Sequence, residues 1–240
     1  MKMQKEIFVF IDFDGTIIPE DTTDVLFKAA GGFEENINLL KNGEINIFEY
    51  WKRFAKSLSA HFTPNTLKDY LHRFTPDRYF RSFIEMLDSY SVKYSIVSDN
   101  FKPIISQILQ SNKLGYISFY VNDLEYQGNE FVPIFTRSSE GCEEMLAAVC
   151  KRNIILNQIP DGALVVYVGD GFSDYGAAEI SDVIFAKDML ANYCSENRLP
   201  HHQYKSFFDV KFILEKLLSE RKIHPRYQAQ LARKKIFEME

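Results

Sequence analysis

The chain has 240 residues, of which 46% are apolar and 25% charged, and its formal net charge at pH 7 is −5. These values are typical of a globular protein with one α/β domain and a modest insertion. The acidic balance argues against a nucleic-acid-binding protein, and no apolar run is long enough for a membrane span or a signal-peptide core.

Short apolar segments alternate with amphipathic segments along most of the chain. The first, at 7–11, is β-prone and ends at a carboxylate, as expected of a strand buried on both faces. The alternation predicts an α/β fold with a Rossmann-like parallel sheet. The further predicted strands lie at 94–97, 117–121, 163–168 and 183–186, and the predicted helices lie at about 103–111, 140–151, 174–180, 189–196 and 207–219.

Two stretches interrupt this alternation. Residues 21–87 show helical periodicity, with apolar faces such as Phe48, Trp51 and Phe54, which predicts a helical cap inserted after the first strand. Gly128 lies in a polar turn between short apolar segments and predicts a hairpin. The expected units are an α/β core at 1–18 and 88–220, a helical cap at 19–87, and a C-terminal tail, predicted to be helical, at 221–240.

Carboxylates follow two of the predicted strands. Asp12 and Asp14 come directly after the first strand, and Asp170 and Asp174 follow the fourth. Ligands of open parallel sheets bind at the carboxyl ends of the strands, so these side chains should converge at one edge. Like charges brought together are costly unless a cation offsets them, and oxygen-rich sites suit Mg²⁺.

The second strand also ends in polar residues. Ser98 and Asn100 offer a hydroxyl and an amide where an oxygen of a phosphate group could bind. We therefore expect both residues to bind phosphate.

The order of these motifs resembles that of the haloacid dehalogenase superfamily of phosphohydrolases. The motifs are Asp-x-Asp-Gly-Thr, a Ser after an apolar strand, a Lys, and Gly-Asp-x-x-x-Asp, and the resemblance extends to about residue 218. The resemblance implies that Asp12 is the nucleophile and Asp14 the general acid and then base. It also implies that Ser98 hydrogen-bonds the transferring phosphoryl group.

The same resemblance implies a Mg²⁺ site. Its ligands would be Asp12, the backbone carbonyl of Asp14, and Asp170, with Asp174 bound directly or through water. The family also has a lysine before the fourth strand, for which Lys151 is our candidate. Arg152 and Arg137 compete for that cationic, phosphate-binding position.

The helical insertion resembles the cap of the phosphoserine-phosphatase-like branch, and such caps favour small metabolites. By position, Asp21 and Arg53 match cap residues that contact substrate in that branch. Other stretches, including 12–21 and 169–187, resemble phosphatases of methionine salvage. Two positions depart from the branch: Asn100 stands where many relatives have a glycine, and Gly15 stands where phosphoserine phosphatases usually have a serine.

We therefore expect a Mg²⁺-dependent phosphomonoesterase acting on a small phosphorylated metabolite. A phosphomutase, or a non-catalytic protein that binds a phosphorylated ligand, is the alternative; the intact Asp12 and Asp14 favour an enzyme. The aromatic-rich cap offers a face for a homodimer, and no nucleic-acid or membrane partner is expected. The three cysteines lack the spacing of a disulfide framework, which favours a cytoplasmic location.

Overall fold

The structure is a computed structural model that describes residues 5–135 and 148–239, with side chains to residue 236. Within these residues one seven-stranded sheet has the order β4-β3-β2-β1-β5-β6-β7. Neighbouring strands are parallel except β3 and β4, which form an antiparallel hairpin. The strands are β1 (Ile7–Ile11), β2 (Lys93–Phe101), β3 (Phe119–Gln127), β4 (Glu130–Ile134), β5 (Leu164–Gly169), β6 (Val183–Ala186) and β7 (His202–Gln203).

Helices lie between the strands and follow the last one. Those between β1 and β2 are α1 (Thr22–Ala30), α2 (Phe33–Lys41), α3 (Ile47–His61), α4 (Pro64–Leu71) and α5 (Phe80–Ser89). The others are α6 (Lys102–Ser111), α7 (Lys151–Gln158), α8 (Tyr175–Glu179), α9 (Asp188–Glu196), α10 (Phe207–Ser219) and α11 (Tyr227–Met239). None of the described helices is long and apolar enough to span a membrane.

The central strands bring the carboxylates of the first and fourth predicted strands together. β1 pairs with β2 on one side and β5 on the other, so Asp12 and Asp170 leave adjacent parallel strands at the same edge. Every residue of β5 is buried, which matches a strand covered by helices on both faces. The predicted α/β fold with a parallel sheet is thereby confirmed.

The insertion after β1 is helical, as predicted. In α3 the side chains of Tyr50, Trp51 and Phe54 are buried, and the indole of Trp51 contacts the ring of Phe101 on β2 with centroids 5.4 Å apart. Helix α5 packs differently, because the ring of its Phe80 lies 4.9 Å from that of Phe207 on α10. α5 therefore packs against a helix of the core, although it lies mostly within the range expected for the cap.

Several predicted bounds were wrong. β2 continues through Ser98 and Asn100 to Phe101, with an irregular register beyond Val97, so both polar residues belong to the strand. Residues 140–147 of one predicted helix lie outside the described residues, and Lys151 begins α7 instead of ending a helix. Of the described cysteines, Cys194 is free and Cys150 is disulfide-bonded, which the spacing did not predict.

Candidate active site

Asp12 and Lys151 form a buried ion pair at the centre of the sheet edge. The Nζ of Lys151 lies 2.6 Å from Oδ1 of Asp12, and both side chains are nearly inaccessible to solvent. Oδ1 also accepts the backbone N–H of Phe13 at 2.7 Å. Burial opposes the charge on Lys151, but Asp12 and Asp174 raise its pKa above the usual value. Lys151 therefore remains an ammonium.

Asp174 connects this ion pair to the loop after β5. Its Oδ1 accepts Nζ of Lys151 at 2.6 Å and the hydroxyl of Tyr167 at 2.5 Å. Its Oδ2 accepts the backbone N–H groups of Asp170 and Gly171, both at 2.9 Å. A carboxylate offers about four acceptor positions, so these four donors hold the orientation of Asp174, and a metal ion bound directly by Asp174 would take the place of one of them.

Asp170 reaches the first motif through Thr16. The hydroxyl of Thr16 donates to Oδ1 of Asp170 at 2.6 Å. Gly15 has a positive φ of 71°, and a Cβ built at this position would overlap the carboxylate of Asp170. Both the backbone conformation and the close approach of Asp170 therefore favour glycine at this position.

The acidic residues fit a divalent cation. Asp12, Asp170 and Asp174 each offer a carboxylate oxygen within 4.8 Å of the others. Burial and the charge of Asp174 raise the pKa of Asp170 to about 6, and the same two causes raise that of Asp12 well above its usual range. Of the described cations, Lys151 contacts Asp12 and Asp174, and Lys187 acts on Asp170 through its charge. A doubly charged ion would offset the remaining negative charge of the three carboxylates. Oxygen donors of this kind are those that Mg²⁺ prefers.

Asp14 lies outside this cluster and is held by three hydrogen bonds. Its Oδ1 accepts the backbone N–H of Thr22 at 2.8 Å and the Thr22 hydroxyl at 2.6 Å, and its Oδ2 accepts Nδ2 of Asn100 at 2.7 Å. Burial, followed by the charge of Asp21, raises the pKa of Asp14 to about 7. A carboxyl with this pKa can give up or take a proton near neutral pH.

The two candidate phosphate-binding residues of β2 have different surroundings. Ser98 is buried, and its hydroxyl oxygen accepts the backbone N–H of Asn100 at 3.2 Å. The amide of Asn100 already has partners at both ends: Nδ2 contacts Asp14 and Thr22, and Oδ1 accepts the N–H of Phe101. The expectation that Asn100 binds phosphate does not fit these contacts.

The two candidate cap residues are hydrogen-bonded to other residues of the insertion. Asp21 is exposed and caps α1, accepting the N–H of Asp24 at 2.8 Å, and it acts on Asp14 through its charge. Arg53 is paired with Glu49 at 3.2 Å within the cap. Of the cationic alternatives to Lys151, the Nε of Arg152 donates to its neighbour Asn153 at 3.5 Å, and Arg137 lies outside the described residues.

Several residues of this site were not predicted from the sequence. Thr22 and Tyr167 contact the acidic groups directly, and Asp99 accepts the N–H of Val149 at 2.8 Å, just before Lys151. The one available signal was Tyr167, a hydroxyl within an otherwise apolar strand. The roles of Thr22 and Asp99 depend on tertiary contacts that the pattern does not reveal.

A family model described as "Putative Phosphatase" matches residues 7–204, more than three quarters of the chain. The chain belongs to this phosphatase family. Its motifs, fold and relatives confirm that it is a phosphatase of the haloacid dehalogenase type.

Relatives of this phosphatase cover nearly the whole chain. A 2-hydroxy-3-keto-5-methylthiopentenyl-1-phosphate phosphatase of Brevibacillus brevis is 24% identical over 223 residues, covering 91% of this chain and 99% of that protein. Pdp3-interacting factor 1 of Schizosaccharomyces pombe is 28% identical over 228 residues, covering 90% and 98%. A solved structure of a phospho-aspartyl intermediate analogue of phosphoserine phosphatase aligns with a TM-score of 0.66 at 21% identity, covering 89% and 99%. At that identity the structural match establishes the shared fold.

Proposed function

We propose that this phosphatase is a Mg²⁺-dependent phosphomonoesterase that hydrolyses a small phosphorylated metabolite through a phospho-aspartate at Asp12. The arrangement around Asp12 carries the proposal. Its buried carboxylate contacts the ammonium of Lys151 at 2.6 Å and shares a cluster with Asp170 and Asp174. Phosphoryl transfer needs a nucleophile surrounded by groups that neutralise the charge of the equatorial oxygens, which this arrangement supplies.

In the first half-reaction an oxygen of Asp12 attacks the phosphorus of the ester. The new O–P bond forms as the bond to the leaving oxygen breaks, and Asp14 protonates that oxygen so that it departs as an alcohol. Lys151 and the hydroxyl of Ser98 hold the oxygens of the phosphoryl group. The raised pKa of Asp14 keeps a proton available for this step near neutral pH.

In the second half-reaction water attacks the aspartyl phosphate. Asp14, now ionised, takes the proton from that water, and the bond between Asp12 and phosphorus breaks to release inorganic phosphate. Asp12, Asp170 and the backbone carbonyl of Asp14 would hold Mg²⁺, with Asp174 bound directly or through water. When bound, the ion would neutralise charge on the phosphoryl group and on the carboxylates.

The cap and the relatives support a proposal for the substrate. A helical cap that packs closely over the sheet edge suits a small ester and excludes water from the reaction. The names of the relatives supply two candidate substrates, the methylthiopentenyl phosphate ester and phosphoserine. We propose that the first is preferred, because several sequence relatives bear that name, whereas the match to phosphoserine phosphatase at 21% identity reflects the shared fold.

The test is release of inorganic phosphate from a panel of esters. The panel contains both candidates, phosphocholine, pyridoxal phosphate and an aryl phosphate, each assayed with Mg²⁺ and with a chelator. We expect Mg²⁺-dependent release that falls by about a thousandfold or more in Asp12→Asn, because this variant lacks the nucleophile. Asp161→Asn, an exposed turn residue, is the matched control and should retain activity.

The other outcomes separate the alternative functions. Phosphate moved to a second position on the substrate without release would identify a mutase. Binding of the esters by folded protein, without release or transfer, would contradict the proposed hydrolysis and indicate a phosphate-ester-binding protein.

A further inference from the structure

Asp14 is tied to two parts of the molecule at once. Asn100 belongs to β2 of the sheet, whereas Thr22 is the first residue of α1 in the cap insertion. The two residues also contact each other, since Nδ2 of Asn100 lies 2.8 Å from Oγ1 of Thr22. The side chains of Asp14, Thr22 and Asn100 therefore form a closed triangle of hydrogen bonds.

The orientation of the amide in this triangle is determined by its third partner. The backbone N–H of Phe101 can only donate, and it lies 2.6 Å from the Asn100 side chain. The amide atom facing it must be the acceptor, Oδ1, so Nδ2 faces Asp14 and Thr22. Asn100 is 1% exposed and Thr22 is completely buried, so solvent does not compete for these bonds.

The donors leave one acceptor position on Asp14. Among the described residues, Oδ1 accepts two hydrogen bonds from Thr22, whereas Oδ2 accepts one from Asn100. A carboxyl group has about four such positions, two on each oxygen. A proton carried by Asp14 therefore belongs on Oδ2, in the position that Asn100 leaves open.

We propose that Asn100 and Thr22 are positioning residues that fix Asp14 with Oδ2 directed at the leaving oxygen of the substrate. This inference rests on the proposed function, in which Asp14 is the general acid. As the bond between phosphorus and the leaving oxygen breaks, its electron pair stays on that oxygen, which takes the proton from Oδ2. Asp14 is left ionised, and the hydrogen bonds from Thr22 and Asn100 stabilise its charge.

The leaving group of the ester provides the test. An alkyl alkoxide must be protonated as it leaves, whereas a nitrophenolate leaves readily without a proton, so correct positioning of the acid matters mainly for alkyl esters. We would measure kcat/KM, which covers the steps up to departure of the leaving group, for an alkyl phosphate and for 4-nitrophenyl phosphate. The variants are Thr22→Val, which removes the hydroxyl that donates to Asp14 and accepts from Asn100 but keeps the backbone donor, and Asn100→Ala.

Both variants should lose about tenfold to a hundredfold in kcat/KM for the alkyl ester and less than about threefold for the nitrophenyl ester. Asp14→Asn should show the same selectivity with a larger loss. Thr22→Ser should restore the alkyl activity, because it retains the hydroxyl. Thr66→Val, which removes a hydroxyl from the first turn of α4, is the control for a general weakening of a cap helix and should affect neither ester.

Equal losses on the two esters, or no loss on the alkyl ester, would overturn the inference. A variant that fails to fold is recognised by its thermal melting, and the other variant then decides. If the unmodified protein hydrolyses neither ester with Mg²⁺, the proposed function itself fails. If the unmodified protein is active but the variants lose activity equally on both esters, only the positioning role fails.

Discussion

Tyr167 extends the network around the nucleophile by one residue. Its hydroxyl donates to Oδ1 of Asp174, the same oxygen that contacts Lys151, and its ring is fully buried in β5. The hydroxyl therefore restricts the position of Asp174 and, through it, of the ammonium beside Asp12.

Tyr167→Phe should lower kcat by about tenfold and weaken the apparent affinity for Mg²⁺, because residues that orient metal ligands have effects of this size. Steady-state kinetics over a Mg²⁺ titration would measure both. Tyr193→Phe removes a hydroxyl bound to Glu179 on α8 and serves as the control. The same small change in both variants would show that Tyr167 contributes only packing.

A second prediction concerns the charge of Asp21. Asp21→Asn removes the negative charge that helps to raise the pKa of Asp14, while keeping an oxygen that can cap α1. With a lower pKa, Asp14 loses its proton at lower pH, so the alkaline limb of kcat/KM should move to lower pH. The pH profile would measure this shift, which should shrink as salt is added.

Asp69→Asn, an exposed change on α4, is the control for Asp21→Asn. An alkaline limb that stays at the same pH in Asp21→Asn would contradict the assigned electrostatic coupling between Asp21 and Asp14.

At the residue scale, the sequence predicted the groups attached to the ends of the strands. Asp12 and Asp170 lie together because they leave adjacent parallel strands, and Lys151 joins them from the first residue of α7. The partners of these groups were not predictable in the same way. Thr22 reaches Asp14 through the path of the chain into α1, and Asn100 contacts Asp14 from a part of β2 whose register becomes irregular after Val97.

Among the elements, the C-terminal helix α11 has a specific docking site. Arg226, just before it, donates to the carbonyls of Ala178 and Glu179 at the end of α8, at 2.7 and 2.8 Å. Arg233, within α11, contacts Oδ2 of Asp182 at 2.7 Å. The two bonds from Arg226 satisfy carbonyls left open at the end of α8, the helix that follows Asp174 and the loop of Asp170.

Arg233→Met should lower the free energy of unfolding by about 3 kcal/mol, because it leaves the completely buried carboxylate of Asp182 without its charged partner. Urea denaturation would measure this. Lys222→Met, which breaks an exposed ion pair with Glu220, is the control and should leave stability unchanged. Equal stability of Arg233→Met and the unmodified protein would show that α11 docks without this ion pair.

The helices and strands were predicted well where the hydrophobic pattern of the sequence is strongly periodic. They were predicted poorly where an element exists only through its contacts with other elements. The apolar runs located β1, β5 and β6, and amphipathic periodicity located α10. β7 has two residues and exists only through its pairing with β6, so no local pattern indicates it. Helix α7 was missed because its buried residues do not form a regular stripe.

At the scale of the whole molecule, the cap and the core share one apolar cluster. Phe54 of α3 stacks on Phe101 of β2 with ring centroids 6.0 Å apart, and Trp51 contacts the same ring. Helix α3 also contacts the hairpin, because the backbone N–H of Phe131 in β4 donates to the hydroxyl of Ser59 in α3 at 2.7 Å. We propose that helices α1–α4 form the cap and that this seam holds it over the site.

Unfolding of the cap and of the core should therefore be one cooperative transition. Trp51 is the single tryptophan and reports on the seam, whereas far-ultraviolet circular dichroism reports on the whole chain. The two urea transitions should coincide. A fluorescence transition at clearly lower urea would show that the cap separates before the core unfolds.

The central claim is that Asp12 carries the phosphoryl group during turnover. The most direct measurement uses Asp14→Asn with an aryl phosphate and Mg²⁺, quenched in acid and analysed by mass spectrometry of the peptide that contains Asp12. The aryl group leaves without an acid, whereas hydrolysis of the aspartyl phosphate lacks its base, so phosphorylated Asp12 should accumulate. The account is contradicted if the unmodified protein turns over the ester but Asp14→Asn yields no phosphorylated peptide. Phosphorylation of a residue other than Asp12 would contradict it as well.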